Sequence, residues 1–451
     1  MATIRKYLFA GALRLAGRPV FRHFETLKAL EYRSPEDLQD MQDQRLRDLL
    51  LYAYRQVPYY HDVLSDAGVV VNEQVQLERF NAIPLLSKEV IRAQGDRLSA
   101  EDPLCRHTYY NSSGGSTGEP VILRQDRDYQ DWGLAGRFLY NEWAGKAVGE
   151  PELKLWGSER DILQGQDDWK TRLRRWLFNT EILNAYRMSE DDMRKHIERW
   201  NQVKPSMVWA YTDSMYWLSR FVREQQLDVH APNGIICTTA PLLEEARQHI
   251  ETTFGCKVFN QYGSREVGTI SSECAEQQGL HIFSSLQKIE ILDAQGQLVP
   301  DGQPGEIVIT NLTNHAMPLI RYRIGDTGSL ASGACACGRG FPRLKDVTGR
   351  VFAHFLKRDG GVVHSQFFVA LFFFKPWLRE FKVVQKDYDV IEVLIVRRAE
   401  PDQQDLDIVV GKIKHVMGPD CRVDFTYVDD IAPTQSGKFF YTECHIKMSQ
   451  E

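Results

Sequence analysis

Between Pro205 and Phe254 the sequence twice sets a short apolar run ahead of an amphipathic stretch. Met207–Ala210 precedes Ser214–Val222, and Gly234–Thr239 precedes a helical pattern from about Leu243 to Phe254. Short apolar runs without alternation are the pattern of strands covered on both faces. Strands of that kind joined by helices lie parallel in one sheet. The chain therefore has an α/β core. At 451 residues it exceeds one ordinary core, and length alone predicts about three compact units of roughly 150 residues.

Other segments extend this reading. Leu46, Leu49, Leu50, Ala53 and Val57 recur at helical spacing and predict an amphipathic helix from Asp37, ended by Pro58. Met188–Trp200 is charge-rich and reads as an exposed helix. After His281 the character changes. Lys288–Leu292, the turn Asp293-Ala-Gln-Gly296 and Gly305–Thr310 predict strand, turn and strand in a small antiparallel or barrel-like subdomain. Beyond Gly349 a hairpin (Phe381–Gln385 with Val390–Val396), a helix (Leu406–Val416) and an alternating strand (Val423, Phe425, Tyr427) predict a small α+β domain. The expected organisation is a large N-terminal domain, 1–348, with α/β subdomains and the barrel-like piece. A small, mobile α+β domain, 349–451, follows it.

Charge narrows the function. Lys plus Arg number 55 against 61 Asp plus Glu, a net charge of −6. A dedicated nucleic-acid binder carries a basic excess, so nucleic acid is not an expected partner. No apolar run approaches the ~20 residues that span a bilayer. Residues 1–24 contain Arg5, Lys6, Arg14, Arg18 and Arg22 and no acid. Arg14 interrupts the uncharged Tyr7–Leu13, and no small-residue cleavage site follows, so the segment does not read as a signal peptide. The basic residues do not share one helical face. The simpler reading is a first helix packed on the body; a helix lying on anionic lipid is the alternative. The expected location is the cytoplasm, with peripheral contact at the inner membrane face as that alternative. The eight cysteines (105, 237, 256, 274, 335, 337, 421 and 444) then point to metal or catalysis rather than to disulfides.

The strongest local signal is Asn111-Ser-Ser-Gly-Gly-Ser-Thr-Gly-Glu-Pro120. Glycines let the backbone approach an anion closely, and exposed N–H and hydroxyl groups can wrap phosphate oxygens. It is not a Walker loop, because no Gly-Lys-Ser/Thr follows; a plain Ser/Gly turn is the alternative. Four further segments accompany it. Gln261-Tyr-Gly-Ser-Arg-Glu266 places a carboxylate after a tight turn, and Arg321-Tyr-Arg-Ile-Gly-Asp326 places another. Thr348-Gly-Arg350 falls at the composition change, and Ala432-Pro-Thr-Gln-Ser-Gly-Lys438 presents a lysine on a glycine turn.

In this order these segments resemble the adenylate-forming superfamily of acyl-CoA synthetases, adenylation domains and luciferases, over nearly the whole chain. The resemblance is closest to the phenylacetate–CoA ligase branch, with its capsular-polysaccharide-associated members. Val57-Pro-Tyr-Tyr60, Ile83-Pro-Leu-Leu-Ser-Lys88, Pro318-Leu-Ile-Arg-Tyr322 and Cys335-Ala-Cys-Gly338 carry it together with the loop and Tyr262–Glu266. The resemblance implies roles. Ser113, Gly114, Gly115, Ser116, Thr117 and Gly118 would hold the ATP β- and γ-phosphates, and Glu266 would hold Mg²⁺. Tyr262, Asp326 and Arg350 would contact the nucleotide, Asp326 at the ribose hydroxyls. Lys438 would stabilise charge between the substrate carboxylate and the α-phosphate. Trp209, Tyr211, Thr239, Ala240, Tyr262 and Gly263 would line the acyl pocket.

Cys274-x6-His281 and Cys335-x-Cys337 flank the antiparallel segment. Three thiolates and an imidazole suit a closed, structural Zn²⁺ site; unrelated loop cysteines are the alternative. The chain departs from the branch in three places. Glu119 stands where many relatives have lysine, and Val351, Phe352 and Ala353 follow Arg350 where acids are common. Thr239-Ala-Pro-Leu-Leu243 replaces an Ala-Glu-Pro-Leu pattern. The implied activity is ATP-dependent activation of an aryl or arylacetic acid, followed by transfer to CoA. An amine or hydroxyl acceptor, in surface-polysaccharide or secondary-metabolite assembly, is the alternative. A non-catalytic zinc-stabilised scaffold is the alternative from another class.

Overall fold

A computed structural model describes residues 2–102, 107–112, 121–156, 169–185, 188, 190–350, 355–358, 362–363, 365–372, 375, 377–431 and 441–446. Contacts divide the chain into two compact units, with the main break between Val347 and Thr348.

The first unit is built on an eleven-stranded sheet. Its strands in chain order are β1 (Glu152–Trp156), β2 (Thr180–Asn184), β3 (Met207–Tyr211), β4 (Gly234–Thr238), β5 (Lys257–Ser264) and β6 (Gly268–Glu273). They are followed by β7 (Leu280–Ile282), β8 (Gln287–Leu292), β9 (Gly305–Asn311), β10 (Tyr322–Leu330) and β11 (Arg343–Arg350). Their spatial order is β8-β9-β10-β11-β7-β6-β5-β4-β3-β1-β2. Neighbours from β2 across to β5 pair in parallel, with Val208 opposite Ile235 and Ile235 opposite Val258. All five residues of β4 are buried, as expected of a strand covered on both faces. The helices Thr212–Glu224 and Glu244–Phe254 follow β3 and β4, as the alternation predicts. At β5 the sheet changes character, and β5-β6, β6-β7 and β8-β9 are antiparallel. The antiparallel segment predicted after His281 is thus hydrogen-bonded onto the parallel part through β5 and β6.

Local signals act where they stand. Ser34 caps helix Pro35–Gln56 by accepting from the Asp37 N–H at 3.0 Å. Pro58 does more than end it, since it is the first residue of the next helix, Pro58–Asp66. The charge-rich helix, Glu190–Val203, is not exposed all round: Met193, His196, Ile197 and Trp200 are buried.

The second unit has a four-stranded sheet of β12 (Leu378–Asp387), β13 (Val390–Arg397), β14 (Arg422–Tyr427) and β15 (Thr442–Cys444), in the order β14-β13-β12-β15. The β12–β13 hairpin is antiparallel and both outer strands pair in parallel. Helix Gln403–Met417 buries Leu406, Val409, Ile413 and Met417. This is the α+β pattern read from the sequence.

Candidate active site

Ligands of open α/β sheets sit beyond the carboxyl ends of the parallel strands. At that end of β5 stands Tyr262, whose hydroxyl donates to Asp326 Oδ2 at 2.6 Å. Asp326 is nearly buried and lies within the continuous strand β10, where Gly325 takes φ +83°. The turn expected before this acid is therefore a local kink in a strand. Gly263 has no room for a side chain: a Cβ would meet Gln261 Nε2 and the Gly268 carbonyl, each at 2.9 Å.

Glu266 is buried. Its carboxylate accepts no hydrogen bond and forms no ion pair among the described residues. An ionised buried carboxylate is costly without a counter-charge, so the residue fits a cation ligand. A hairpin, Thr108–Ser112 with Ile122–Asp126, is tied to its backbone. Gln125 Nε2 donates to the carbonyls of Arg265 at 2.8 Å and Glu266 at 3.2 Å, while Asn111 Nδ2 donates to Gln125 Oε1 at 3.1 Å. The Ser/Gly-rich segment is the connection between these two strands. Its residues Ser113, Gly114, Gly115, Ser116, Thr117 and Gly118 lie outside the described residues, as does Lys438; Arg350 ends β11, and its side chain is likewise not described.

Three of the motifs that carry the family resemblance turn out to bracket one another. Tyr60 is fully buried; its hydroxyl donates to the Pro318 carbonyl at 3.0 Å and accepts the Ile320 N–H at 3.1 Å. Burial pushes its phenol pKa up. Arg321 forms a two-pronged pair with Glu290 at 2.9 and 3.2 Å and donates to the carbonyls of Asn81 and Ile83 at 2.7 Å. Leu86 bridges the chain at Tyr322. Together these anchor the start of β10, four residues before Asp326. Both charges of the Arg321–Glu290 pair are buried, and removing one alone leaves the other unpaired, at a cost of about 3–5 kcal/mol. The sequence presents these motifs as functional signatures; their observed role is to hold the strand that carries the acid.

Toward the expected acyl pocket, Trp209 stacks against Tyr140 at 5.9 Å and Trp156 at 5.5 Å, and Trp156 meets Tyr211 at 4.3 Å. Thr239, immediately after β4, takes φ +77°, an unusual state for a branched side chain and a mark of functional ends of strands. The hydroxyl of Thr212 lies 3.2 and 3.1 Å from the carbonyls of Thr238 and Ala240, and that of Thr238 donates to Gln261 Oε1 at 2.9 Å. Gln125, Gln261 and Thr212 were not legible as site residues. Single Gln and Thr side chains carry no spacing signal, and only the fold sets them beside the turn.

The cysteine prediction falls into place geometrically. The ligand atoms of Cys274, His281, Cys335 and Cys337 all lie within 4.8 Å of one another. Cys274 Sγ and Cys335 Sγ are 3.7 Å apart, and Cys337 Sγ is 3.4 Å from His281 Nε2. A tetrahedron with ~2.3 Å metal–sulfur bonds has an edge near ~3.8 Å. His281 Nδ1 lies 3.3 Å from the Phe341 carbonyl, an arrangement that leaves Nε2 for the metal. Burial pushes the His281 pKa down to about 4, which keeps the imidazole in its neutral, ligating form. The donor set fits Zn²⁺.

Comparison with known proteins follows the same lines. A family model, the CapK C-terminal domain, matches residues 355–443. Protein CapK of Staphylococcus aureus is 22% identical over 448 residues, covering 97% of this chain and 95% of that protein. A phenylacetate-coenzyme A ligase of Thermus thermophilus is 27% identical over 369 residues, covering 75% and 76%. The solved structure of 2-hydroxyisobutyryl-CoA ligase in the postadenylation state, with R3-HIB-AMP, superposes with a TM-score of 0.71 at 18% identity, covering 91% of this chain and 90% of that one. That likeness establishes the fold.

Proposed function

From the premise that the chain is a homologue of CapK and the phenylacetate–CoA ligases, with the fold of adenylate-forming ligases, we propose that it is an AMP-forming acid ligase. A carboxylate attacks the α-phosphate of ATP, giving an acyl-adenylate and pyrophosphate, and an acceptor then displaces AMP. The observation that carries this reading is the Tyr262–Asp326 pair at the carboxyl end of β5, with buried Glu266, whose carboxylate has no partner among the described residues, in the turn that follows. Asp326, oriented by Tyr262, would hold the ribose hydroxyls, and Glu266 would hold Mg²⁺, which offsets charge on the leaving pyrophosphate. Ser113–Gly118 would receive the β- and γ-phosphates, Arg350 would contact the nucleotide, and Lys438 would stabilise the charge that develops during attack. The Cys274, His281, Cys335 and Cys337 site would hold a structural zinc. The acid is aryl or arylacetic and the acceptor is CoA. The second reading has an amine or hydroxyl acceptor, and the absence of acids at Val351–Ala353 supports it.

The test is pyrophosphate release with Mg·ATP and a panel of acids, then AMP release with CoA or with amino sugars. No acid-dependent pyrophosphate release with any acid would leave the scaffold reading instead. Tyr262→Phe removes one hydrogen bond to Asp326. The expected result is KM for ATP raised roughly tenfold, in line with ~1–1.5 kcal/mol for such a bond, and kcat nearly unchanged.

A surface of the first unit supports a peripheral membrane contact. Among the described residues no helix is long and apolar enough to cross a membrane. In helix Ala2–Leu15, Phe9 and Leu13 face the core, while Ile4, Tyr7, Leu8 and Leu15 form a second, exposed apolar stripe; Leu15 is 92% exposed. Helix Trp169–Phe178 lies beside it and exposes Leu173 and Trp176. Both helices are free of acids and carry Arg5, Lys6 and Arg14, and Arg172, Arg174 and Arg175. Apolar stripes set among basic residues match an anionic bilayer surface, so peripheral contact at the inner face of the membrane belongs to the proposal. Flotation with phosphatidylglycerol vesicles should recover the protein, and phosphatidylcholine vesicles should not. Tyr7→Glu with Leu8→Glu should abolish recovery while leaving pyrophosphate release intact. Recovery that ignores both lipid charge and these substitutions would refute the assignment.

A further inference from the structure

We propose that the acyl pocket accepts an aromatic acid bearing a second anionic group, and that Arg137, Lys154 and the indole N–H of Trp209 receive that group. The proposal rests on the acid-ligase reading above and names its substrate class.

Strands β1 and β3 pair in parallel, with Glu152 opposite Met207 and Lys154 opposite Trp209. Side chains alternate along strands, so Glu152, Lys154 and Trp156 share a face with Met207, Trp209 and Tyr211. Helix Arg127–Trp143 covers this face with Arg137 and Tyr140. Glu152 is buried and pairs with Arg137, with Lys146 at 3.5 Å and with Lys154 at 3.9 Å. Among the described residues Glu152 is thus the carboxylate paired with three cations, Glu150 acts more weakly on Lys146, and Arg174 on helix Trp169–Phe178 adds to the positive field at Lys154. Arg137 and Lys154 also meet π faces. The Arg137 guanidinium lies 5.1 Å from the Trp209 ring and the Lys154 ammonium 5.0 Å from it and 5.9 Å from Trp156. Arg137 Nε and Trp209 Nε1 are buried and lack a hydrogen-bond partner among the described residues.

A purely structural ion cluster is balanced and hydrogen-bonded, because unpaired buried charge and orphaned donors both destabilise the fold. Among the described residues this cluster is neither, and it lines an aromatic wall. The wall is not sealed: the Arg137 and Lys154 side chains keep 19% and 18% exposure, and Trp156, Trp209 and Tyr211 are only partly buried. The same face continues to Thr238 and Gln261 at the strand ends that lead to Tyr262. An aromatic ring carried on this wall presents its reacting carboxylate at the strand ends and its second anion to the free donors. Without that anion, burial and the neighbouring cations push the Lys154 pKa down to about 7. An anion restores the ammonium form, so binding takes up a proton. The groups that act on Lys154 are Glu152 on its own strand, Arg137 on the covering helix, Lys146 after it and Arg174.

The experiment is calorimetric binding to the full chain, without ATP, of benzoate against isophthalate and of phenylacetate against 3-carboxyphenylacetate. Acid-dependent pyrophosphate release is measured in parallel. Each dicarboxylate should bind about tenfold or more tighter than its monoacid, as a charge-assisted contact implies. Its affinity should fall roughly tenfold from pH 6 to pH 8 as Lys154 loses its proton. Lys154→Met keeps the Arg137–Glu152 pair and the side-chain volume. It should remove both the preference and the pH dependence while leaving monoacid binding and the melting temperature near those of the unsubstituted protein. Dicarboxylates that bind no better than monoacids, or that bind not at all, overturn the subsite whatever the protein does with ATP. A preference unaffected by Lys154→Met overturns it as well. Selective, Lys154-dependent binding with no pyrophosphate release from any acid keeps the subsite and overturns the ligase reading.

Discussion

Lys438→Ala is expected to cut adenylation by ~100-fold or more, the size that follows from deleting a charge partner of a transition state. The side chain would meet negative charge only as the carboxylate oxygen approaches the α-phosphate. Binding of acid or ATP in the ground state should therefore change little, and kcat should fall more than KM rises. Transfer from a supplied acyl-adenylate should be much less affected, because that step begins after the phosphorus–oxygen bond has formed. Acid-dependent pyrophosphate release measured beside acceptor-dependent AMP release from preformed adenylate separates the two half-reactions. A Lys438→Ala protein that releases pyrophosphate near the unsubstituted rate would remove this lysine from the chemistry.

Zinc should be present at one ion per chain in protein purified without added metal. Replacing Cys335 and Cys337 by serine should remove it, because a tetrahedral site does not survive loss of half its donors. The expected consequence is thermal: a fall in melting temperature of roughly 5–10 °C, as several kcal/mol of metal-linked folding energy is lost. The site joins the residues after β6, strand β7 and the loop before β11, which are separate in sequence and adjacent in the sheet. None of the four ligands is among the residues proposed to hold acid or nucleotide. Pyrophosphate release at low temperature should accordingly outlast the loss of stability. Elemental analysis and a melting curve on the double variant test both parts, and a metal-free native protein would refute the centre.

The alternation of apolar runs and amphipathic helices determined the parallel part of the sheet, because a strand covered on both faces and a helix with one apolar stripe have no other stable arrangement. The order of the glycine turns and acids determined the resemblance, and the spacing of Cys and His determined the donor set. Each is a local property, written in consecutive residues. What the tertiary structure alone decided is which distant residues meet. It paired Tyr262 with Asp326, 64 residues away, and left the Glu266 carboxylate without a partner among the described residues. It turned Tyr60 and Arg321 from apparent signatures into brackets for β10. It showed that the first helix is apolar on two sides, one packed and one exposed, which the scatter of its arginines obscures in sequence. It gathered Arg137, Lys146 and Lys154 around Glu152, two of them over Trp209, from a helix, a turn and a strand. None of these contacts has a period or a motif, because they arise where helix and sheet faces meet, and their free energy depends on burial that only the assembled core supplies.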